Sequence, residues 1–474
     1  MSTSRGLLRS GSAATAAQLV RIVALQLTHI VVRRHVPPEE LGVWNWIEPL
    51  FLLLATLRDL GVPSHVVRLV PMPFGSLLRV ELRWGLLLAA GVALGAPWLA
   101  LGFAAPGPAL VAALRVMAVF LVLEGLSAVA LTWFESRLEI ERTLSAELAR
   151  TATYCAVVLA ASLHGYGFWS FVLAQIAAQA VFAAELWRRA RREITLVEAP
   201  GPVLGLVRAS LPVGTVWLLS MAVMYADSFV VGGLFDRRAL GLYAFGYGYA
   251  FLVTRILQQP FGRALYPAFV AHRAEPEEQF RAYRLATVVF LGLEMPAALF
   301  LAANSELVTL LLAGREYLDA APYLALLAFA PIVDPLGRFG GELLLARNRD
   351  RARLISLGLQ LGALVGGGVV LSLVLDSPFG MALANFLPVG SLVVLVVLAR
   401  GGDRAGLARL TRDLLWVYFV PVVPFALVWT LWSDRPWLHL VVTLLAAAAS
   451  VGWVWRRYGT ELRAYFSEPV PGAP

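Results

Sequence analysis

Four arginines lie inside long apolar stretches of this 474-residue sequence: Arg21, Arg115, Arg255 and Arg338. An ionisable side chain inside lipid costs about 2.5–3.5 kcal/mol on insertion scales, and it usually faces a bundle interior or a water-filled cavity. Arginine keeps its charge and offers a fixed fork of donors, which suits phosphate groups. Each of these arginines is therefore either a ligand for an anion or one half of a structural ion pair.

Three carboxylates occupy comparable apolar positions: Glu48, Glu124 and Asp227. Burial disfavours the charged form of a carboxylate, so proton uptake at such a site can switch a cavity between two states. We therefore expect all three to take part in ion coupling. The alternatives are ion pairs of Arg21 with Glu48 and of Arg255 with Asp227, or a structural contact of Asp227 at a helix interface. Glu124 has no partner at this stage, because Arg115 lies about two and a half helical turns away.

The composition places these residues in a membrane protein. Hydrophobic residues make up 59% and charged residues 15%, with a mean hydropathy of +0.73, whereas soluble proteins average about 25% charged residues. Apolar stretches of about 20 residues, the length that crosses a bilayer core, recur throughout. The single Cys155 allows no intrachain disulfide. The first apolar stretch contains Arg21 and His29 and favours a retained helix over a signal peptide.

The apolar stretches predict fourteen membrane spans, at residues 13–32, 41–58, 84–104, 109–133, 147–164, 166–187, 209–233, 240–262, 284–303, 321–345, 354–375, 378–399, 413–432 and 436–455. All 39 basic residues are arginines; 29 fall on the side of the N-terminus, six on the other side and four in the interior of spans. The 29 include Arg58, Arg150 and Arg284, which lie at or near span ends and are grouped with the adjoining loops. Because cytoplasmic loops carry the positive excess, both termini are predicted to be cytoplasmic. The net charge of +8 then reflects topology and not nucleic-acid binding.

A short pattern occurs twice, 199 residues apart, as VVRRHVPPEELGVWNW at 31–46 and VVGGLFDRRALGLYAF at 230–245. Six predicted spans separate the copies, so both copies have the same orientation, as in the parallel repeats of many transporters. The sequence therefore predicts an all-α polytopic membrane protein with about 14 transmembrane helices, two six-helix lobes in a parallel pseudo-twofold repeat and two C-terminal helices. The predicted domains are an N-lobe (1–187), a cytoplasmic linker (188–208), a C-lobe (209–400) and a last segment (401–474).

Four segments carry a family resemblance: LGVWNW (41–46), LRDLGVPSHVVR (57–68), MYADSFVVGGLFDRRALGLYAFGYGYAF (224–251) and LYPAFVAHRAEPEEQFRAYR (265–284). They resemble bacterial oligosaccharide flippases of the polysaccharide-export family, within the multidrug/oligosaccharidyl-lipid/polysaccharide exporter superfamily. The resemblance covers residues of about 10–400. It implies a transporter of the bacterial inner membrane that moves a polyprenyl-diphosphate-linked oligosaccharide from the inner to the outer leaflet. It also implies membrane lipid and the polymerase and glycosyltransferases of the same pathway as partners. Because the sequence has no phosphate-cradling Gly-rich loop with Lys, we expect the energy to come from a gradient of H+ or Na+ as coupling ion, or from substrate consumption outside.

The resemblance gives the intramembrane residues expected roles. Arg21, Arg255 and Arg338 are expected to bind the diphosphate, and Arg21 and Arg255 are expected to approach it from opposite lobes. Aromatic faces suit apolar sugar surfaces, so sugar contacts are expected at Tyr247 and Trp217, with Gln258 nearby. An interfacial aromatic belt is the alternative for the aromatic residues.

Three other functions are weighed against the flippase. A multidrug or small-solute antiporter of the same superfamily would favour a carboxylate-rich cavity, and the mid-span arginines argue against it. A lipid II flippase would be expected to carry an Arg-Asp pair where this sequence has Arg21 and Ile22. A glycosyltransferase or polymerase would need a larger outside loop. The sequence shows no catalytic motif, no metal motif and no Gly-rich phosphate loop with Lys, so we expect neither an enzyme nor a cofactor.

Overall fold

The computed structural model describes residues 18, 20–67, 69, 72–104, 106–137, 139–198, 203–387, 389–399, 404–432 and 436–467, and these residues form helices and turns with no strand. The first helix, α1, comprises residues 20–33. The first half continues with α2 (Pro38–Asp59), α3 (Val62–Val66), α4 (Phe74–Ala100), α5 (Pro108–Ser136), α6 (Ile140–Leu163), α7 (Trp169–Ala190), α8 (Val203–Leu234) and α9 (Arg237–Ala250). The second half contains α10 (Leu252–Ala271), α11 (Pro276–Ala303), α12 (Ser305–Ala313), α13 (Ala321–Leu327), α14 (Asp334–Ala346), α15 (Asp350–Leu375), α16 (Phe379–Ala384), α17 (Val389–Ala399), α18 (Arg404–Trp432) and α19 (Pro436–Ser467).

Each of the fourteen predicted spans coincides with a helix or with a pair of helices, as far as the chain is described. The eighth is divided at Phe251 between α9 and α10, and the twelfth is divided between α16 and α17. The tenth contains the 3-10 turn Ala330–Val333, where Pro331 removes a backbone donor. The third span begins earlier than predicted, at Phe74 and not at residue 84, so that Glu81 lies inside the helix.

The helices have the length and composition of membrane spans. Among the described residues, nine helical segments are long and apolar enough to cross a membrane. A helix satisfies its own backbone hydrogen bonds, which is what the absence of water in a bilayer core demands. The chain is therefore an all-α, multi-pass membrane protein.

The chain divides into two compact units, Met1–Gly241 and Leu242–Pro474. In the first unit, α4 packs on α5, α6 on α7, and α5 also contacts α7, while α2 packs on α8. Trp133 and Phe134 of α5 lie in a buried cluster with Phe74 of α4 and Phe182 of α7. This packing fixes α2, α4 and α5 against one another and sets the positions of the charged side chains that they carry.

The two copies of the repeated Leu-Gly pattern meet inside the first unit. A Cβ atom on Gly42 would overlap the carbonyl oxygen of Arg237, and a Cβ atom on Gly241 would overlap the carbonyl oxygen of Pro38. Gly42 corresponds to Gly241 in the repeat, and Pro38 corresponds to Arg237. The contact is therefore reciprocal, which is the pattern that two-fold-related segments make. Only glycine permits this approach of the α2 and α9 backbones.

The second unit is organised around α11, which packs against α14, α18 and α19. Near the start of α11, Arg284 pairs with Asp413 of α18, and its Nη2 lies 2.9 Å from Oε1 of Glu461 on α19. At the far end, the Nδ2 of Asn304 donates to the Oγ1 of Thr443 at 2.9 Å. Polar contacts thus hold α19 to α11 at both ends and α18 to α11 at one end, with an apolar cluster between the helices.

The glycine contact predicts a packing defect. Gly42→Ala and Gly241→Ala should each lower the free energy of unfolding by about 1–3 kcal/mol, because a methyl group forces apart two backbones that now touch. Thermal unfolding of the purified protein in detergent measures the change. Gly248→Ala is the matched control, since Gly248 also lies on α9 and nothing approaches its Cβ position within 4 Å. Equal stability of all three variants would contradict the close backbone contact.

Candidate functional site

A buried charge cluster lies between α2, α4 and α5. Arg58 occupies the last turn of α2, and its side chain is 1% exposed. Its Nη1 lies 2.6 Å from the Oε2 of Glu81, which is fully buried, and its Nη2 contacts Glu124. We call Arg58, Glu81 and Glu124 the Arg58 cluster.

Two glycines let the three helices approach Arg58. A Cβ atom on Gly125 would overlap the Nη1 of Arg58, and one on Gly85 would lie 3.6 Å from the Arg58 Cδ. Gly85 follows Glu81 by one turn of α4, and Gly125 follows Glu124 directly on α5. The same helix faces therefore supply both the carboxylates and the space for the guanidinium.

The Arg58 cluster carries more negative than positive charge. Two carboxylates face one guanidinium. Asp59 adds a third carboxylate within electrostatic range of Glu81, and Arg150 adds a second guanidinium within range of Glu124. Within the described chain, the Oε1 of Glu81 accepts no hydrogen bond. A carboxylate without full compensation is unfavourable in an apolar interior, so the cluster is suited to taking up a proton. No group of three or more His, Cys, Asp or Glu side chains in the described ranges could hold a metal ion.

Arg21 lies on α1 and forms an ion pair with Glu147 of α6. The two side chains are 23% and 29% exposed, so this pair is more accessible than the Arg58 cluster. The neighbouring His29 ring lies 3.4 Å from the hydroxyl of Tyr154, also on α6. Polar groups of α1 therefore face α6, and Glu147 is the partner that local sequence patterns did not identify.

A second charged region lies on α10, α11 and α14 in the second unit. Glu294 of α11 is 3% exposed and accepts a hydrogen bond from the hydroxyl of Thr254 on α10. These two side chains, with small residues such as Ala297, line a small cavity. On α14, Arg338 pairs with Asp334 one turn earlier, with 2.6 Å between Nη2 and Oδ2.

The other predicted site residues lie at separate places in their units. Asp227 is buried on α8, where its Oδ1 accepts a hydrogen bond of 2.7 Å from the backbone N–H of Ser228. Trp217, on the same helix, is 53% exposed. Glu48 is half-buried on α2, and Arg255 is exposed on α10. The side chain of Gln258 lies outside the described residues.

Tyr247 lies in a column of aromatic rings on α9 and its continuation. Its ring stacks on Phe251 with 4.3 Å between centroids, and on Tyr243 with 6.2 Å between centroids. The hydroxyl of Tyr243 accepts a hydrogen bond of 3.0 Å from the Nδ2 of Asn385. Tyr243 is fully buried, so Tyr247 and Phe251 are the partly exposed rings of the column.

Sequence patterns missed Arg58 and Glu81. Arg58 ends an apolar span next to the polar Asp59, so the sequence groups it with the loop arginines. Glu81 precedes the apolar part of the next span and is therefore predicted to lie in a loop. The residues that follow Glu124 in the sequence do not indicate that its partner is Arg58, 66 residues earlier. One sequence feature could have indicated the cluster. On two neighbouring spans an acid is followed closely by a glycine, Glu81 by Gly85 and Glu124 by Gly125, and these glycines make room for a third side chain.

Comparison with known proteins assigns the chain to a family. Residues 31–322 match the model of a family described as polysaccharide biosynthesis protein. No curated protein gives a significant match to the sequence.

Several solved structures share the fold. The chain is similar to the lipid II flippase MurJ in an inward closed conformation, with a TM-score of 0.71, 11% identity, and coverage of 93% of this chain and 98% of that one. It is similar to an inward-facing multidrug resistance MATE family transporter of the MOP superfamily, with a TM-score of 0.63, 15% identity, and coverage of 83% and 95%. A MOP superfamily transporter from Pyrococcus furiosus gives a TM-score of 0.59, 16% identity, and coverage of 84% and 95%. At these identities the similarity shows the fold alone.

Removing the guanidinium of Arg58 should destabilise the protein. Arg58→Leu leaves the fully buried Glu81 and the 30% exposed Glu124 without their partner, so the free energy of unfolding should fall by about 3–5 kcal/mol, most of it from Glu81. Adding Glu81→Gln to Arg58→Leu should recover part of that loss, because it removes one of the unpaired charges. Chemical or thermal unfolding in detergent measures both.

Arg79→Gln is the control for this measurement. Arg79 pairs with Glu198, but both side chains are about half exposed (47% and 48%). An exposed pair contributes about 0–1 kcal/mol. If Arg58→Leu lost no more stability than Arg79→Gln, the Arg58 cluster would not be a structural centre.

Proposed function

Because the chain belongs to the polysaccharide biosynthesis protein family, we propose that it is a flippase that moves a polyprenyl-diphosphate-linked oligosaccharide from the inner to the outer leaflet. The family match over residues 31–322 is the observation that carries the proposal. The fold supports it, because the solved structures that share it are those of a lipid II flippase and of transporters. The bacterial inner membrane, with both termini cytoplasmic, is the proposed location.

Alternating access around a central path is the proposed mechanism. The sequence predicts two lobes, 1–187 and 209–400, joined by the linker 188–208 and followed by the segment 401–474. A change of state requires charged groups whose pairing differs between the two states. The described residues provide such groups on several helices.

The diphosphate is proposed to bind Arg21, Arg255 and Arg338. Arg21 and Arg338 are each paired with one partly exposed carboxylate, Glu147 and Asp334. A diphosphate carries more charge than a carboxylate and accepts bidentate hydrogen bonds from guanidinium, so it can replace that partner. Arg255 is exposed and accessible to a ligand.

The sugar is proposed to contact Tyr247, Trp217 and Gln258. The exposed indole of Trp217 offers a free face. The stacked column that contains Tyr247 offers further aromatic surface, with the amide of Asn385 close to it.

Ion coupling is proposed to use the Arg58 cluster together with Glu48 and Asp227. The excess of carboxylates around Arg58 favours uptake of a proton, and protonation of Glu81 or Glu124 would weaken its contact with Arg58. The same carboxylate-rich character suits a cation-coupled drug or small-solute antiporter. That antiporter is the second candidate function.

The substrate proposal is tested by reconstitution in liposomes with a fluorescent polyprenyl-diphosphate oligosaccharide. Arg21→Ala and Arg255→Ala should each slow outward movement roughly tenfold to a hundredfold, because each removes a charge-assisted contact of about 1.5–3 kcal/mol. Arg315→Ala is the control, since Arg315 is exposed at the end of α12. A cationic dye and lipid II serve as competing substrates.

Three results would change the assignment. Dye export without lipid movement would make the protein an antiporter. Movement of lipid II in preference to other lipid-linked sugars would make it a lipid II flippase. Flipping that survives both arginine substitutions would retain the function and remove these residues from the site.

The coupling proposal is tested with imposed ion gradients in the same liposomes. A proton or Na+ gradient should accelerate flipping by the unchanged protein, and Glu81→Gln and Glu124→Gln should abolish that acceleration, because an amide neither binds a proton nor attracts a cation as a carboxylate does. Glu306→Gln is the control, since Glu306 is exposed on α12. An unchanged gradient response in both cluster variants would exclude the Arg58 cluster from coupling.

A further inference from the structure

A surface pocket of the second unit is lined by three arginines. Arg273 follows α10, while Arg347 and Arg349 lie in the turn between α14 and α15. Pro276 and Gln279 in the first turn of α11 complete the lining. The pocket has a volume of about 240 Å³ and is open to the surface. No carboxylate of the described chain is among its lining residues.

Neutral acceptors hold Arg347 in place. Its Nε donates to the Oε1 of Gln279 at 2.7 Å, and its Nη2 donates to the carbonyl oxygen of Pro276 at 3.0 Å. Gln279 is 1% exposed and is itself fixed, because its Nε2 donates to the carbonyl oxygen of Phe269 at 2.6 Å. These partners orient the guanidinium without neutralising it.

Arg349 strengthens the positive field of the pocket. Its Nη1 donates to the carbonyl oxygen of Val397 at 3.4 Å, which is another neutral acceptor. Partial burial and the neighbouring charge of Arg349 both lower the pKa of Arg347, which lies beyond the membrane-spanning part of α14. The charged form of Arg347 is therefore disfavoured by its surroundings, and a bound anion would relieve that cost.

The glutamates around the turn between α10 and α11 do not supply this anion. The carboxylate of Glu275 lies 3.4 Å from the Nδ1 of His272, and that of Glu278 lies 3.5 Å from the Nη1 of Arg281. Glu277 is exposed and does not line the pocket. None of the ion pairs among the described residues thus involves Arg273, Arg347 or Arg349.

We propose that this pocket binds a phosphate group at the edge of the membrane. Arginine forks match phosphate oxygens, and basic pockets at the cytoplasmic ends of spanning helices bind the headgroups of anionic lipids. The turns that form the pocket end α10 and α14 and begin α11 and α15, on the side that the arginine distribution predicts to be cytoplasmic. The phosphate belongs either to an anionic phospholipid or to a soluble phosphate compound. The proposal does not depend on the transported substrate.

The test uses the full chain in nanodiscs of phosphatidylcholine, with or without phosphatidylglycerol. Phosphatidylglycerol should raise the midpoint of thermal unfolding and remain bound in native mass spectrometry. Arg347→Gln and Arg349→Gln should each weaken this binding about tenfold, because each removes one charge-assisted contact to phosphate. Arg351→Gln is the control, because Arg351 is exposed in the first turn of α15 and does not line the pocket.

A second arm identifies the source of the phosphate. Inorganic phosphate added to phosphatidylcholine nanodiscs should raise the midpoint in the same Arg349-dependent way if the pocket serves a soluble phosphate compound. A response to phosphatidylglycerol alone would assign the pocket to lipid. Absence of both responses, or equal responses in the control and pocket variants, would overturn the proposal. If Arg347→Gln folds poorly, the exposed Arg349 and Arg273 are substituted in its place.

Discussion

The cost of placing charge in an apolar interior governs this structure. Arg58 is tolerated at 1% exposure because two carboxylates reach it from α4 and α5, and Arg284 is tolerated because Asp413 and Glu461 reach it from α18 and α19. Each pairing ties helices that are distant in the sequence. A buried pair contributes little net stability, but loss of one partner is strongly destabilising. The pairings therefore act mainly by specifying which helices are neighbours.

Close backbone contact adds a second constraint. Between spanning helices the lipid offers no hydrophobic driving force, so small residues that permit close packing are important. Gly42 and Gly241 provide this contact reciprocally. Glu39 and Arg238, which also correspond in the repeat, pair beside it with 2.9 Å between Nη1 and Oε1. The repeated Leu-Gly pattern is thus explained by one contact in which each copy uses the glycine that the other requires.

The family and the all-helical membrane fold could be predicted from the sequence, because span length, hydropathy and short motifs are local properties. The resemblance to polysaccharide-export flippases is confirmed by the family match. The charge partners could not be predicted in this way. Glu147 is 126 residues from Arg21 in the sequence. Glu81 lies in the polar N-terminal part of α4, before the apolar residues that hydropathy detects. Hydropathy locates the part of a helix that lies in lipid, whereas the pairing of charges depends on which helices pack together. The extent of the lobes and the roles of the site residues remain predictions.

Exposure separates two kinds of arginine in this protein. Arg58 has two carboxylate partners and almost no accessible surface, so an incoming anion would have to displace both from a closed site. Arg21 and Arg338 have side chains that are 23% and 22% exposed, and each is paired with one accessible carboxylate. A phosphate group can exchange with a single carboxylate at modest cost, because the guanidinium stays neutralised throughout. Such an exchange would leave Glu147 or Asp334 without its arginine, but these carboxylates are 29% and 24% exposed, so they can be hydrated or protonated. At Arg58 the same exchange would strand Glu81, whose side chain is fully buried.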